Sequence, residues 1–313
     1  MRSPVTPEPT VVMPARKARR SWSQKRLWRD SLTGYSLIAP TTVLFTIFYF
    51  IPLIETILNG FYRFNMMSPS KQFVGLQNYQ TIFADAGFQA ALWHTVVYTV
   101  FTVFFSSAFS LLVAVLLNQK IRGRNIYRAI YFLPVIAPNI ASSIVFTDIF
   151  GNDSSGAMNK FLGLFGVQPI AWLGSQHYAM ATVIIYSVWT LIGYNMVIYL
   201  AGLQNIPENY YEAARIDGAN SWDVFRRITL PLLRPTTLFV IVVGVISAFQ
   251  VFNQVYIMTQ GGPLNATTVI LYLIYQEAFQ NFHGGTASAM SVVLFLILLI
   301  LSIVQVRMFS RRE

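Results

Sequence analysis

Six long apolar runs constrain this chain more than any other feature of its sequence. Each run is close to or longer than the roughly 20 residues that a helix needs to cross the hydrocarbon core of a bilayer. Charged residues make up only 11% of the chain, against about 25% in soluble domains. We therefore predict an all-α, polytopic membrane protein surrounded by lipid, with six transmembrane helices. The predicted spans are residues 32–60, 92–118, 127–150, 178–203, 236–258 and 286–308.

The basic residues are distributed unevenly between the segments that join these spans. Residues 1–31, 119–128, 204–235 and 307–313 hold eight, four, four and three of the 22 Lys and Arg, and the other three lie in the alternate loops. Because an excess of Lys and Arg marks cytoplasmic loops, we predict a multi-pass membrane protein with both termini in the cytoplasm. The net charge of +10 thus reflects topology, and we predict no nucleic-acid partner.

Several kinds of chemistry are missing from the sequence. Residues 1–30 lack apolar periodicity and are predicted to form a disordered cytoplasmic tail that precedes a membrane domain at 31–313. The chain has no cysteine, and its three histidines are far apart in sequence, so we predict neither a metal site nor catalytic residues. No lysine precedes Ser or Thr, as a Walker A motif requires. We therefore expect a chain that is not an enzyme and does not itself hydrolyse ATP.

A polar segment between the fourth and fifth runs, residues 204–235, has the pattern of two short amphipathic helices. Pro207 and Glu208 suit the first turn of a helix, and the dipeptide Asp217-Gly218 predicts a turn after it. Asn220 or Ser221 can cap a second helix, which Pro231 is expected to close. The recurring charges exclude this segment from hydrocarbon, so it is predicted to stand outside the membrane as a compact knob.

This segment resembles the EAA loop of binding-protein-dependent ABC importer permeases. Glu212-Ala213-Ala214, then Asp217-Gly218-Ala219, then Phe225, Ile228, Leu230 and Pro231 match that loop in order and in position. The resemblance implies a MetI-like fold and a cytoplasmic loop that docks into a cleft of the ATPase subunit. Tyr211, Ala214, Trp222 and Phe225 are expected to fill the ATPase groove, and Glu212 to pair with a basic group on its rim. The resemblance assigns ATPase coupling to Tyr211, Glu212, Ala213, Ala214, Asp217, Gly218, Ala219, Trp222, Phe225, Leu230 and Pro231.

Two further segments are similar to the carbohydrate-type permeases of this group. Residues 73–79 contain a V-G-L-x-N-Y pattern, and residues 259–263 a T-x-G-G-P pattern, both in loops predicted to be external. The short segment after the last span is similar to the MalF-like half of such importers. The resemblance implies a second, MalG-like permease subunit, two ABC ATPases that hold ATP and magnesium, and an extracytoplasmic substrate-binding protein. This chain itself is expected to hold no cofactor.

Neutral polar residues within the spans are the candidates for contact with a small-molecule solute. Pro134 and Pro138 are predicted to kink the third span toward a pathway, and amides and hydroxyls beside aromatic rings would suit a sugar. Alternatively, these polar groups hydrogen-bond one helix to another, as they often do in membrane bundles. Similarity to the maltose permease assigns the substrate pathway to Asn139, Ser187, Tyr194, Gln250 and Asn253.

These observations lead to one main functional hypothesis and two alternatives. The main hypothesis is a permease subunit of an ATP-driven importer for a carbohydrate or polyol. Within the family, the alternative is a glycerol-3-phosphate or glycerophosphodiester importer, which cationic pathway residues would favour. Outside it, the alternative is an ion-coupled secondary transporter. The sequence disfavours that class because no Asp, Glu, Lys, Arg or His lies near the middle of a predicted span.

Overall fold

A computed structural model describes residues 24–68, 70–119 and 121–310 of the chain. Most of the predicted N-terminal tail, residues 1–23, lies outside this part. The chain divides into two compact units, Met1–Ile54 and Glu55–Glu313.

The first unit is helical throughout its described part. It contains α1 (Gln24–Phe45) and a π-helical turn at Thr46–Phe50, after which α2 (Ile51–Asn59) leads into the second unit. Hydroxyl groups inside this apolar helix bond to the backbone one turn earlier. Thr42 Oγ1 donates to the carbonyl of Ile38 at 3.1 Å, and Thr46 Oγ1 donates to that of Thr42 at 2.8 Å. Both hydroxyl groups therefore have hydrogen-bond partners within the helix, as polar groups in a hydrocarbon environment require.

The second unit begins with a small hairpin and continues with helices of very different lengths. Strands β1 (Tyr62–Phe64) and β2 (Lys71–Phe73) pair antiparallel with Tyr62 opposite Phe73. The helices up to residue 204 are α3 (Gln77–Ala84), α4 (Ala86–Asn118), α5 (Arg124–Ile136), α6 (Asn139–Ile149), α7 (Ala157–Gly163) and α8 (Ala179–Gln204). Those that follow are α9 (Glu208–Ile216), α10 (Ser221–Val224), α11 (Leu230–Leu232), α12 (Arg234–Phe249), α13 (Asn253–Met258), α14 (Ile270–Tyr275) and α15 (Gly284–Ser310).

The predicted number of six spans is reached only when two bent helix pairs each count as one. In the described part of the chain, four single helices are long and apolar enough to cross a membrane. They are Thr33–Asn59, Ala86–Asn118, Ala179–Gln204 and Gly284–Arg307. The two bent pairs are Arg124–Ile136 with Asn139–Ile149, at 99°, and Ser221–Leu232 with Arg234–Phe249, at 62°.

The third predicted span is broken rather than kinked. Ala137 has φ −64° and ψ 136°, so the chain leaves the helical conformation before α6 begins at Asn139. Pro138 explains this break, because a proline disfavours the helical conformation in the residue before it and supplies no N–H of its own. The bend predicted at Pro138 is confirmed, and the helix there is broken rather than only kinked.

The prediction of one continuous fifth span over 236–258 is wrong. α12 ends at Phe249, and α13 starts at Asn253 in a new direction. The N–H of Val251 bonds to the carbonyl of Ala248 at 3.2 Å, which closes the end of α12 in a tight turn. Val251 and Val255 are buried in a core cluster with Tyr98 and Tyr186. The break is therefore accompanied by the burial of these two valines in the core, and the apolar composition of the segment does not show it.

The contact between α5 and α8 depends on a glycine. A Cβ atom added at Gly193 in α8 would lie 2.1 Å from the carbonyl oxygen of Tyr131 in α5. A larger residue would therefore push the two helices apart. α4 packs along α8 and α12, so these four helices form the body of the second unit.

Two loops contain more structure than the sequence predicted. In the segment with the V-G-L-x-N-Y pattern, the Asn78 amide donates to the carbonyls of Gly60 and Tyr62, both at 2.9 Å, and so fixes the hairpin. The small sheet is a departure from the all-α prediction, although the unit remains mainly helical. The predicted external loop 259–285 includes α14. Its first residue, Ile270, is fully buried, and the N–H of Ile270 donates to Thr95 Oγ1 at 2.9 Å.

Candidate substrate pathway and coupling loop

A cavity of about 380 Å³ lies where the two broken helices of the second unit approach α4 and α8. It is lined by the end of α5 and start of α6 on one side, and by the end of α12 and residues 250–254 on another. Irregular backbone at membrane depth is tolerated where it is buried in protein or lines a cavity. Four of the five predicted substrate residues line this cavity, namely Asn139, Tyr194, Gln250 and Asn253.

Gln250 and Asn253 lie on either side of the break between α12 and α13. Both residues are exposed, and both line the cavity. Because each amide offers two donors and one acceptor oxygen, the pair can bond several hydroxyl groups of one ligand. Phe252 lies between them in sequence and lines the same cavity, so an aromatic ring accompanies the amides.

Asn139 and Tyr194 contribute from the opposite broken helix and from α8. Asn139 is the first residue of α6, and its backbone carbonyl accepts a hydrogen bond of 3.0 Å from the Tyr186 hydroxyl. That bond holds the start of α6 against α8. Tyr194 is 44% exposed and lines the cavity from α8.

Ser187 does not line the cavity, in contrast to its predicted role in the pathway. It is fully buried between α4 and α8. Its hydroxyl accepts a hydrogen bond of 2.8 Å from the Tyr98 hydroxyl and donates one of 2.8 Å to the carbonyl of Val183. Ser187 therefore joins helices, which is the alternative role that the sequence left open for these polar groups.

Sequence reasoning missed several polar residues that do line the cavity. The sequence of α4 contains a signal for one of these residues, a stripe of hydroxyl side chains. Thr95, Thr99, Thr102, Ser106 and Ser110 recur at helical spacing and are all buried. This stripe marks the inner face of α4 and includes one lining residue. The missed polar lining residues are Tyr98, Thr102, Ser142, Thr190, Ser247 and Gln254.

The cavity is polar but carries no formal charge. None of its lining residues is an Asp, Glu, Lys, Arg or His. No group of three or more His, Asp or Glu that could hold a metal ion occurs in the described part of the chain. The arrangement suits a neutral ligand with several hydroxyl groups, bonded by amides and hydroxyls and packed against aromatic rings.

The coupling loop, residues 204–235, contains the two helices that its sequence predicts. α9 follows Pro207 and ends at Ile216, with Asp217 as its C-cap. Gly218 then has φ +77°, and the N–H of Ala219 bonds to the carbonyl of Ala214 at 2.9 Å. α10 is capped by Asn220, whose side-chain oxygen accepts from the N–H of Asp223 at 2.9 Å. Each turn of the loop therefore has its own cap or hydrogen bond, which makes the loop a preformed unit.

Pro231 does not close the second helix as predicted. A π-helical turn at Phe225–Thr229 follows α10, and the chain continues into α11 (Leu230–Leu232), which contains Pro231. The proline therefore lies inside the continuous helical run Ser221–Leu232, directly after the π-helical turn. The change of direction comes two residues later, between Leu232 and Arg234.

The coupling residues divide into an inner and an outer set. Ala214 is 7% exposed, and the half-buried Tyr211 has its hydroxyl 3.3 Å from Thr229 Oγ1. These two side chains make contacts within the chain itself, and Tyr211 is also partly exposed, so their predicted contacts with an ATPase stay a prediction. Ala219 and Phe225 are half-buried, whereas Glu212, Ala213, Asp217, Gly218, Trp222, Leu230 and Pro231 are exposed.

The outer surface includes two residues that the sequence analysis did not select. Ile216 is 86% exposed and Tyr210 is 50% exposed, and the predicted coupling residue Trp222 is 66% exposed. The Trp222 ring lies 5.7 Å from that of Phe225. The large apolar side chains that the loop exposes are therefore Tyr210, Ile216, Trp222, Leu230 and Leu232.

A single helix joins the cavity to the coupling loop. Tyr194 lies ten residues before the end of α8, which is about 15 Å along a helix axis. The coupling loop starts at that end. A displacement of the loop can therefore reach the cavity wall through one rigid element.

Comparison with known proteins places the chain in a family. Residues 106–313 match the model of the family described as binding-protein-dependent transport system inner membrane component. The arabinooligosaccharides transport system permease protein AraP of Bacillus subtilis is 33% identical, with 90% of this chain and 91% of that protein covered. The trehalose/maltose permease protein MalF of Thermococcus litoralis is 34% identical over 81% of this chain and 85% of its own. The sn-glycerol-3-phosphate permease protein UgpA of Salmonella typhimurium is 35% identical, with coverages of 91% and 96%.

A solved structure shows the same fold. A bacterial ABC transporter involved in the import of the acidic polysaccharide alginate contains a chain that superposes with a TM-score of 0.81. It is 24% identical, and the match covers 92% of this chain and 99% of that one. The family model covers residues 106–313, and the matches to these relatives cover 81–91% of the chain. The chain therefore belongs to the family of binding-protein-dependent transport system inner membrane components.

Proposed function

We propose that this chain is a permease subunit of an ATP-driven importer and that its solute is a neutral carbohydrate or polyol. Relatives named for arabinooligosaccharides, for trehalose and maltose, and for lactose support a sugar. The observation that carries the proposal is the uncharged cavity, in which Gln250 and Asn253 present amides beside the ring of Phe252.

The sn-glycerol-3-phosphate permease is the relative that favours a second solute class. A phosphate group in a membrane pathway calls for cationic partners, because an unpaired charge is costly to bury. The described residues that line this cavity include no Lys, Arg or His. The cavity therefore favours the sugar over the phosphate ester.

The coupling loop is the part of the chain that would contact the ATPase. Tyr210, Ile216 and Trp222 give it an exposed apolar surface on a capped, preformed support. Glu212 is exposed beside them and can pair with a basic group of the ATPase. ATP and magnesium would be held by that partner, and its closure would move the loop together with α8.

The remaining partners follow from the family. A second, MalG-like permease subunit would complete the pathway, two ATPases would supply energy, and an extracytoplasmic binding protein would deliver the solute. The loop then lies in the cytoplasm together with both termini, in agreement with the distribution of Lys and Arg.

The solute class is tested first on the neighbouring binding protein, through a thermal-shift screen against sugars, polyols and glycerophosphodiesters. We expect stabilisation by a sugar or polyol. Stabilisation by a glycerophosphodiester alone would contradict the proposed solute class and support the second.

The cavity is then tested with the solute that the screen identifies. In proteoliposomes with the assembled transporter, Gln250→Leu and Asn253→Leu should each lower uptake about tenfold, because one lost hydrogen bond of roughly 1.4 kcal/mol has that effect. Gln80→Leu is the matched control, since Gln80 is exposed on α3, outside both the cavity and the coupling loop. Normal uptake by both cavity variants would reject these residues as solute contacts.

A further inference from the structure

An exposed apolar patch lies in the loop between α6 and α8. We call Phe161, Leu164, Phe165 and Val167 the α7 patch; their exposed fractions are 56%, 81%, 72% and 42%. The rings of Phe161 and Phe165 are 5.4 Å apart, so the patch is continuous. Contiguous exposed apolar surface of this kind marks a site of interaction with a protein or a membrane.

The loop holds the patch in a fixed orientation. Asn159 is 4% exposed, and its amide nitrogen, which has two hydrogens to donate, lies 2.8–3.0 Å from the carbonyl oxygens of Gly151, Asp153 and Ile170. Its oxygen accepts from the N–H of Ile170 at 3.1 Å and from Trp172 Nε1 at 2.9 Å. Asn159 thus occupies the inner side of α7, and the apolar side chains remain outside.

The end of the patch is fixed as well. Gly166 has φ +76°, and the N–H of Val167 bonds back to the carbonyl of Leu162 at 3.3 Å. This glycine-dependent helix end places Val167 beside α7. The patch is therefore a preformed surface.

The length of α8 places this loop at a membrane boundary. A helix of 26 residues is about 39 Å long, which is longer than the hydrocarbon core of about 30 Å and close to the bilayer thickness of about 40–45 Å including the headgroup regions. α8 begins at Ala179, directly after this loop, and the coupling loop follows its other end. Trp172 lies 5.5 Å from Phe150 and 5.9 Å from Tyr178, and such aromatic clusters are typical of the membrane–water interface.

The few charges in the loop between α6 and α8 indicate which kind of partner contacts the α7 patch. Between residues 154 and 176, the only charged residue is Lys160, which is exposed beside Phe161. An apolar face with a neighbouring lysine is the pattern of a helix that lies in a lipid interface, where the ammonium group reaches phosphates. A transiently docked soluble protein would instead leave this patch in water between encounters, and such interfaces are no more apolar than ordinary surface.

We propose that the α7 patch inserts into the boundary between headgroups and acyl chains of the leaflet opposite the coupling loop. The occupant is phospholipid. The loop between α6 and α8 is then anchored to the bilayer as well as to the helices that flank it. This role does not depend on the identity of the solute.

The absence of cysteine from the sequence gives a direct test. Leu164→Cys and Phe165→Cys, each labelled with a nitroxide, are compared with Ser154→Cys, which is an exposed position in the same loop. The assembled transporter is reconstituted in vesicles of phosphatidylethanolamine and phosphatidylglycerol. Collision rates of each nitroxide with oxygen, which concentrates in lipid, and with a water-soluble nickel chelate are then measured.

The two collision rates separate the possible environments. We expect oxygen collisions to exceed nickel collisions at positions 164 and 165, and the opposite order at position 154. A nickel rate at 164 and 165 equal to that at 154 would place the patch in water and overturn the proposal. Low rates with both reagents would also overturn it, because they would show that a protein partner covers the patch.

Discussion

At the scale of single residues, the cavity wall depends on how closely α5 and α8 approach and on which polar groups remain inside the protein. Gly193 permits the close approach of the Tyr131 carbonyl. Ser187 and Tyr98 bond to one another across α4 and α8. Both features lie beside the cavity, and each leads to a substitution experiment with a matched control.

Replacement of Gly193 by alanine should destabilise the α5–α8 contact. The new Cβ would overlap the Tyr131 carbonyl at 2.1 Å, and overpacking of this kind costs about 1–3 kcal/mol. We expect a lower midpoint of thermal unfolding for the detergent-solubilised protein. The control is Gly163→Ala in α7, where nothing lies within 4 Å of the added Cβ, and it should be neutral or slightly stabilising. Equal midpoints for both variants would contradict the close approach.

Replacement of Ser187 by alanine should lower stability and should not act as the loss of a solute contact. The Tyr98 hydroxyl is buried and would lose its partner, which costs about 1–3 kcal/mol. Tyr98→Phe removes the other half of the bond. A double-mutant cycle on the free energy of unfolding should therefore show that the two changes are not additive. Additive effects would show that the two hydroxyl groups are not coupled.

At the scale of elements, the coupling loop is an assembly of short helices whose direction depends on one turn. α9 and α10 are each too short to be stable alone. They are held by the Asn220 cap, by the bond from Ala219 to Ala214 and by the burial of Ala214. Gly218 is the residue whose backbone conformation allows these parts to meet.

Replacement of Gly218 by valine should uncouple transport from ATP hydrolysis while the chain still inserts into the membrane. Nothing lies within 4 Å of an added Cβ at this position, but φ is +77°, and that conformation costs roughly 1–3 kcal/mol in a residue other than glycine. Solute uptake and ATPase activity of the assembled transporter are measured together. Gly218→Asn should retain much of the uptake, since asparagine tolerates this conformation. Normal uptake by the valine variant would show that the turn is not needed for coupling.

At the scale of the whole molecule, the source of energy for transport is the decisive property. The cavity lining contains no Asp, Glu, Lys, Arg or His. A carrier driven by protons or sodium ions usually has such a group in its pathway to bind the driving ion. The uncharged cavity and the preformed coupling loop both favour energy supplied by an ATPase partner.

Uptake in cells should therefore follow ATP and not the ion gradient. Depletion of ATP should abolish uptake of the solute, and an ionophore that leaves ATP intact should have little effect within the first minutes. A cell that expresses a lactose-type proton symporter provides the control with the opposite response. Uptake that survives ATP depletion and collapses with the ionophore would overturn the proposed function.

The sequence by itself determined the class of the protein and the position of its coupling loop. Long apolar runs must become helices in hydrocarbon, because every backbone polar group there needs a partner within the same segment. The turn at Asp217-Gly218 and the cap at Asn220 depend on neighbouring residues only, so the helices they separate could be predicted. The bend at Pro138 likewise depends on neighbouring residues only.

Only the tertiary structure decided where the fifth run breaks and which polar residues face the cavity. Val251 and Val255, which follow the end of α12, are both buried in one core cluster, and that core is built from residues far apart in sequence. Ser187 and Tyr194 are both polar residues of α8, yet one bonds to α4 and the other lines the cavity. Likewise, Ala214 is turned inward and Ile216 outward on α9. The physical reason is the same in each case: the role of a side chain depends on which helix lies opposite it, and that is a property of packing.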